Sequence, residues 1–377
     1  MIRVALFLHG GIGTEEGKDM VPDLGHLVSR LSRWFDITVF TGSRGEADRE
    51  EFLCGKARVR PVEATSRARF PRMFLSVLSA FRKEHRRHPF QLLHGMWAYP
   101  GGSTAALLSS LYRIPFIVSI RGGEAASVPE ISYGLLRHPL LRHVTLATCR
   151  RADGLAVLTR YQLTRLARAG LRRENAHVIP AGVSDSWITD LKPKTPSAPY
   201  RILHVANLTE VKDQETLLLA FGTILKSVDA RLRIIGPDHL GGRIQSRARV
   251  LEIDSHVEFM GQIPHSQLRP HYEWAHVMLH TSLYEGQGVV LAEAAASGVA
   301  VCGTEVGLIA DLGESYMKSC NVRDHLCLST KTIALLKNHA EFATLTANAH
   351  SWAASHTIDW TAESYRRLYE ATVMEKR

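Results

Sequence analysis

Two glutamates, Glu285 and Glu293, stand in the stretch Thr281-Ser-Leu-Tyr-Glu-Gly-Gln-Gly-Val-Val-Leu-Ala-Glu-Ala-Ala-Ala-Ser-Gly298. On one continuous helix they would lie about 80° and 12 Å apart, poorly placed for a single small ligand. Gly286 and Gly288 argue against that continuity. The apolar run from Ala275 to Thr281 reads as a buried strand, and Val289 to Ser297 as a helix ended by Gly298. Glu285 then sits on the loop and Glu293 about a turn into the helix. A strand, a glycine turn and a helix start leave unpaired N–H groups and a positive dipole end, a favourable seat for an anion such as phosphate. Carboxylates beside such a seat suit sugar and ribose hydroxyls, which donate hydrogen bonds. The plainer alternative is a surface glutamate followed by one that complements the helix dipole.

The elements that would position these groups follow from the order of apolar runs. Residues 2–9 form a strand that enters His9-Gly-Gly-Ile-Gly13, a helical pattern runs from about Pro22 to Trp34, and Asp36 to Phe40 is a second strand. This order opens a parallel α/β sheet. Further strands are expected at 90–94, 114–120, 154–158 and 177–180, with a helix from about Gly101 to Tyr112. From Ser184 to Tyr200 the pattern breaks into Asp185, Pro193, Pro196 and Pro199, as a linker does. A second series follows, with strands near 201–206, 231–235, 256–260, 275–281 and 299–303 and a last helix from about Asp359 to Ala371. The expectation is two doubly wound, Rossmann-like domains facing a central cleft. The first takes 1–185, with 360–377 returning to it; 186–199 is the linker and 200–359 the second.

The chain has 377 residues and a net charge of +9, so two domains are the natural division. Residues 1–190 hold 27 Lys and Arg against 17 Asp and Glu, and the remainder 19 against 20, which assigns the basic surface to the first half. Between Arg67 and His88 an apolar helix face carries basic ends. This reads as a packed helix with solvated charges or as a dock on an anionic membrane surface. No nucleic-acid motif accompanies the charge. Cys54, Cys149, Cys302, Cys320 and Cys327 show no metal spacing, and an odd count fits a reducing cytoplasm better than a disulfide framework. The opening residues are too short an apolar run for a signal peptide, and no run reaches the length that spans a membrane.

Ligands of doubly wound sheets bind outside the carboxyl ends of the strands. Glu285, Gly286, Gln287, Gly288 and Glu293 follow one strand of the second series, and Asn207 to Lys212 follow its first. Gly10, Gly11, Gly13, His94 and Arg121 follow strands of the first series. Lys212 is the one cation in its loop and could neutralise a phosphate. The first glycine loop lacks the G-x-G-x-x-G spacing, and the second strand ends without a ribose-binding acid, which argues against a nicotinamide dehydrogenase. No D-x-D pair is present to hold a metal diphosphate, so cations and helix N-termini would have to stabilise a departing nucleotide diphosphate.

Glu285-Gly-Gln-Gly-Val-Val-Leu-Ala-Glu293-Ala, Val205-Ala-Asn-Leu-Thr-Glu-Val-Lys212-Asp, Val178-Ile-Pro-Ala-Gly-Val183 and the early Gly-Gly loop resemble glycosyltransferase family 4, retaining enzymes of the GT-B fold. The resemblance covers nearly the whole chain in order. It implies transfer of a sugar from a nucleotide-diphosphate sugar, held by the C-terminal domain, to an acceptor held by the N-terminal one; the basic first half points to a glycan or a polyprenyl or other lipid-linked acceptor. Glu285 would contact the sugar, Gly286, Gln287, Gly288 and Val289 would offer backbone N–H groups, Glu293 would bind the ribose and Lys212 the diphosphate. The resemblance implies no metal, and no further cofactor is expected; the cysteine usage and the basic first half point to a cytoplasmic enzyme, peripheral on the inner face of a membrane.

Three positions depart from the family pattern: Asn207 replaces its usual Arg, Arg121 its usual His, and Gln287 its usual aromatic. Arg121 is read as a compensating cation from the first domain. Some branches of the family carry Asn-Leu at this point, so Asn207 is not a sign of inactivity. His94 ends a strand where the family also tends to place a His, and it is read either as catalytic or as a satisfied structural histidine. The competing functions are another GT-B nucleotide-sugar reaction, such as epimerisation, and a non-catalytic nucleotide-sugar-binding protein.

Overall fold

The computed structural model describes residues 1–8, 12, 22–43, 50–63, 70–173, 175–188 and 194–376. The chain divides into two compact units. One comprises Met1–Ser127, Gly134–Ala181 and Ile358–Arg377, and the other Val128–Tyr133 and Gly182–Thr357. The short segment Val128–Tyr133 thus groups with the second unit, where Tyr133 packs near Tyr284 and Glu130 pairs with Arg323 at 3.4 Å. The expected linker 186–199 falls partly outside the described residues.

The first unit is built on an eight-stranded sheet: β1 (Arg3–Leu8), β2 (Asp36–Ser43), β3 (Phe52–Cys54), β4 (Ala57–Glu63), β5 (Leu92–Met96), β6 (Phe116–Ile120), β7 (Gly154–Val157) and β8 (Ala176–Val178). Its order is β3-β4-β2-β1-β5-β6-β7-β8, parallel except where β3 pairs antiparallel with β4. Helices α1 (Pro22–Leu31), α2 (Phe70–Arg87), α3 (Ser103–Tyr112), α4 (Pro139–Arg151) and α5 (Arg160–Arg168) join the strands. A parallel strand covered on both faces is apolar almost throughout. Accordingly β1, β5, β6 and β7 are buried along their lengths. Arg3, the one charge in β1, is admitted because Asp36 and Glu84 pair with it at 3.0 and 3.1 Å.

The second unit holds β9 (Tyr200–Val205), β10 (Ala230–Ile235), β11 (Val257–Gly261), β12 (Val277–His280), β13 (Ala300–Thr304) and β14 (Lys318–Cys320). They form one parallel sheet ordered β11-β10-β9-β12-β13-β14. Helices α6 (Gln214–Leu225), α7 (Arg243–Val250), α8 (Arg269–Trp274), α9 (Val289–Ala296), α10 (Gly307–Leu312), α11 (His325–Lys337) and α12 (His339–Ser355) complete it. The order reverses between β9 and β12, so the carboxyl ends of these two neighbouring strands mark the switch point, the usual ligand position in such sheets. The last helix, α13 (Ile358–Met374), belongs to the first unit.

Most strands occur where the apolar runs placed them; β3, β4 and β14 are additional. The hairpin signal was the turn Gly55-Lys56, with Gly55 at φ +61°, between Cys54 and the alternation Ala57-Arg-Val-Arg60. The cysteine expectation needs correction. Cys320, ending β14, and Cys327, in the first turn of α11, are disulfide-bonded, with Cα atoms 6.0 Å apart. Counting cysteines missed a pair that the strand and helix ends bring together across a short loop. Burial pushes the free thiols of Cys149 and Cys302 up to about 12. Among the described residues no helix is long and apolar enough to cross a membrane.

His94 on β5 is completely buried. Its Nδ1 lies 2.6 Å from the Tyr369 hydroxyl and its Nε2 2.8 Å from Ser119 Oγ, which lies 2.8 Å from the Tyr365 hydroxyl. This network ties α13 to the sheet of the first unit. Burial, helped by the Arg121 charge, lowers the His94 pKa to about 3; burial likewise lowers that of His204 on β9 to about 3. An unfolded histidine takes up its proton near pH 6.5, so stability is greatest above that pH and falls as pH drops from about 6.5 toward 3, by up to about 1.4 kcal/mol per pH unit for each such histidine. The urea midpoint should therefore fall between pH 7.5 and 5.5, and fall less in His94→Gln. A midpoint independent of pH over that range would contradict the buried neutral state.

Candidate active site

The loops that leave β9 and β12 are stitched together. Thr281 Oγ1 donates to the Lys212 carbonyl at 2.9 Å, and the Leu283 amide donates to the Val211 carbonyl at 2.8 Å. Asp213, at φ +46°, caps α6 through its bonds to Thr216 and so fixes where the Lys212 loop ends. These contacts bring the Lys212 ammonium onto Glu285 Oε1 as an ion pair. Two further donors meet the same oxygen: Ser282 Oγ at 2.7 Å and His280 Nε2 at 3.1 Å. Glu285 Oε2 accepts no hydrogen bond among the described residues.

Glu285 is only 9% exposed. Burial by itself would raise its carboxyl pKa, but the Lys212 charge and the His280 bond outweigh that and hold it well below the usual carboxylate range. The group is thus a fixed anion with one oxygen clamped and the other available to accept from a hydroxyl.

Glu293, on the second turn of α9, is satisfied differently. His265 Nε2 donates to its Oε1 at 2.7 Å and the Tyr272 hydroxyl to its Oε2 at 2.9 Å. Tyr272 is fully buried and packs edge-on to Trp187, and burial together with the Glu293 charge pushes its hydroxyl pKa well above the ordinary value. Each carboxylate oxygen retains acceptor capacity beyond one bond. Between the glutamates, Gly288 adopts φ +84° and starts α9 without a side-chain cap. The Gly288 and Val289 amides have no acceptor among the described residues. Gln287 is buried and its carbonyl accepts from Leu308 N at 2.8 Å, a close approach made under Gly307.

The second unit therefore brings together Lys212, Glu285, Gly286, Gln287, Gly288, Val289 and Glu293 around adjoining loops. Asn207 is exposed in the loop after β9; its carbonyl accepts from Gln214 Nε2 at 3.1 Å. In the first unit, Arg121 is not a spare cation. It is buried in an ion pair with Asp23, at the start of α1, which removes the net charge its compensating role required. His94, with both ring nitrogens engaged in the core, has no face open to a ligand; the structural reading replaces the catalytic one. Gly11 and Gly13 lie outside the described residues. Sequence reasoning missed His280, Ser282, His265 and Tyr272. The first two were legible in principle, as polar residues at the end of a buried strand a few places before Glu285.

Two family models match the chain. Residues 20–182 match the glycosyl transferase 4-like domain, and residues 199–338 match glycosyl transferases group 1. The chain belongs to the family 4-like glycosyltransferases. This family 4-like chain is 31% identical over 141 residues to N-acetyl-alpha-D-glucosaminyl L-malate synthase of Bacillus anthracis, a stretch covering 36% of each protein. The match thus spans about a third of that relative's length. Among solved structures, it superposes on sucrose-phosphate synthase from Thermosynechococcus elongatus with a TM-score of 0.82 at 18% identity, covering 98% of this chain and 99% of that one. HepE of Anabaena, solved in complex with UDP and glucose, gives 0.74 at 16% identity, covering 98% and 100%. These likenesses show the GT-B fold.

The site's geometry depends on Gly307, at φ +54°. A Cβ there would come within 2.5 Å of the Gln287 carbonyl and 2.8 Å of Glu285 Cβ. Gly307→Ala should lower stability by about 1–3 kcal/mol through overpacking and strain. Gly222→Ala, inside α6 with its nearest neighbour at 3.8 Å, should not lower it. Thermal unfolding checks both, and an unshifted midpoint for Gly307→Ala would refute the close packing.

Proposed function

We propose that the chain is a retaining glycosyltransferase that moves a sugar from a nucleotide-diphosphate sugar to a glycan or lipid-linked acceptor without a metal ion. The observation that carries this reading is the Glu285 carboxylate, held ionised by Lys212 with one oxygen accepting no hydrogen bond among the described residues, shortly before the start of α9, which has no side-chain cap. Glu285 Oε2 accepts from donor-sugar hydroxyls, and its negative charge strengthens those bonds as the sugar gains positive charge. The Gly288 and Val289 amides and the Lys212 ammonium receive the diphosphate, with Gly286 and Gln287 shaping the turn. Glu293 accepts from the ribose, its position set by Tyr272 and His265.

Asn207 contributes a neutral amide to this site, so Lys212 carries the cationic share of leaving-group stabilisation in the second unit. No carboxylate is assigned as a nucleophile, and the reading favours front-face transfer assisted by the departing diphosphate. The complex of HepE with UDP and glucose supports a uridine nucleotide among the donors to try first. The exposed Arg82, Lys83, Arg86 and Arg87 of α2 support docking on an anionic membrane surface, with part of the Arg67 to His88 segment outside the described residues.

The reading is tested by incubating the protein with UDP-, GDP- and ADP-sugars and a lipid-phosphate acceptor while following nucleotide release and glycoside formation. Turnover with one donor is expected, and Glu285→Ala should lower it at least about tenfold. An isomerised sugar nucleotide without glycoside would indicate epimerisation, and no turnover or nucleotide binding with any donor would exclude the transferase.

A further inference from the structure

Much of the chain's positive charge is concentrated away from the donor site. Residues 132–173 contain nine Arg and a single Asp, Asp153. That carboxylate is already occupied, by Lys376 at 3.0 Å and by the Phe116 amide at 2.9 Å. Within this segment lies a cavity of about 390 Å³, lined by Leu136, Arg137, Pro139, Arg142, His143, Leu146, Arg150 and Ala169. Among the described residues no acidic side chain lines it.

Helix α4 and the end of α5 build the cavity together. Arg142, Leu146 and Arg150 follow at i, i+4 and i+8, one stripe of α4. The two arginines start about 12 Å apart along the axis, yet their heads converge. Arg142 Nη2 donates to the Ala169 carbonyl at 2.8 Å and Arg150 Nη2 to the Gly170 carbonyl at 3.0 Å. Carbonyls of consecutive residues just past α5 thus gather two guanidinium groups in one place. Among the described residues neither has a carboxylate partner. The negative end of α5 offsets part of this repulsion, and each guanidinium keeps further N–H donors in a planar fork suited to phosphate oxygens. Arg137 adds a third cation, while the floor is apolar, with Leu136 and Leu146 buried. Leu140, in the first turn of α4, is 73% exposed.

We propose that this cavity is a second anion site, which binds a phosphate group through Arg142 and Arg150 with Arg137 at its side. It is independent of the donor reading, because all of its residues belong to the first unit and none takes part in the Lys212 and Glu285 site. The phosphate is carried either by a soluble phosphate compound or by a lipid headgroup, whose acyl region would meet Leu140.

Two arms separate the sources at physiological ionic strength. Titration of the full chain with pyrophosphate, followed by calorimetry, reports the soluble form as a binding step additional to the one at Lys212, which Lys212→Gln removes. Cosedimentation with phosphatidylcholine vesicles, with and without phosphatidylglycerol, reports the lipid. Saturable binding in either arm is expected, falling at least about tenfold in Arg142→Gln/Arg150→Gln, less in Arg142→Lys/Arg150→Lys, and unchanged in Arg247→Gln/Arg249→Gln on α7 of the second unit. Loss confined to the pyrophosphate arm assigns a soluble ligand, and loss confined to the vesicle arm assigns a headgroup. The glutamine pair keeps N–H donors for the two carbonyls, and circular dichroism checks its fold. Binding in neither arm, or binding that the folded glutamine pair leaves unchanged, would overturn the proposal.

Discussion

The ion pair between Lys212 and Glu285 is the constraint around which the second unit's site is arranged. A carboxylate this buried would ordinarily shed its charge by taking up a proton. Here the ammonium, the imidazole of His280 and the hydroxyl of Ser282 converge on one of its oxygens and keep it ionised. Removing one partner of a buried pair leaves an uncompensated charge, at a cost on the order of 3–5 kcal/mol. The pair therefore links structure and chemistry: the same contact that holds two loops in place leaves a second carboxylate oxygen that accepts no hydrogen bond from the described residues.

Sheet topology explains why those loops meet. β9 and β12 are neighbours in the sheet although 71 residues lie between Val205 and Val277 in sequence, and the order reverses between them. Lys212 arrives from one strand and Glu285 from the other. Gly307 and Gly288 then serve close approach and a positive φ respectively, which is what allows α9 to begin soon after the carboxylate, with its first amides without an acceptor among the described residues.

Much of this was legible because parallel strands announce themselves as unbroken apolar runs, as β1, β12 and β13 do. The glycine turn between Glu285 and Glu293 likewise marked where a strand gave way to a helix. Three things were not legible, for a common reason: each depends on partners distant in sequence. Arg121 looked like a free cation until Asp23, 98 residues away, was seen to pair with it. His94 reads as a candidate catalytic residue from its strand-end position alone, whereas Tyr369, 275 residues away, and Ser119 engage both its ring nitrogens. Glu293 showed no sign in sequence of Tyr272 and His265, which lie on and just before α8. The short hairpin β3–β4 and the cysteine pair escaped for the opposite reason, since their signals were local but too brief to stand out among polar neighbours.

With Glu285 proposed to meet the donor's sugar and the α9 amides with Lys212 its diphosphate, the two halves of a donor should be separable by mutation. The most direct test compares the affinity of a nucleotide sugar that supports turnover with that of its bare nucleotide diphosphate, in wild type and in Glu285→Gln. Glu285→Gln is expected to weaken the nucleotide sugar by about tenfold or more while leaving the bare nucleotide within about twofold, since a tenfold change corresponds to about 1.4 kcal/mol, the scale of one charge-assisted hydrogen bond. Equal weakening of both, or of neither, would contradict the assignment.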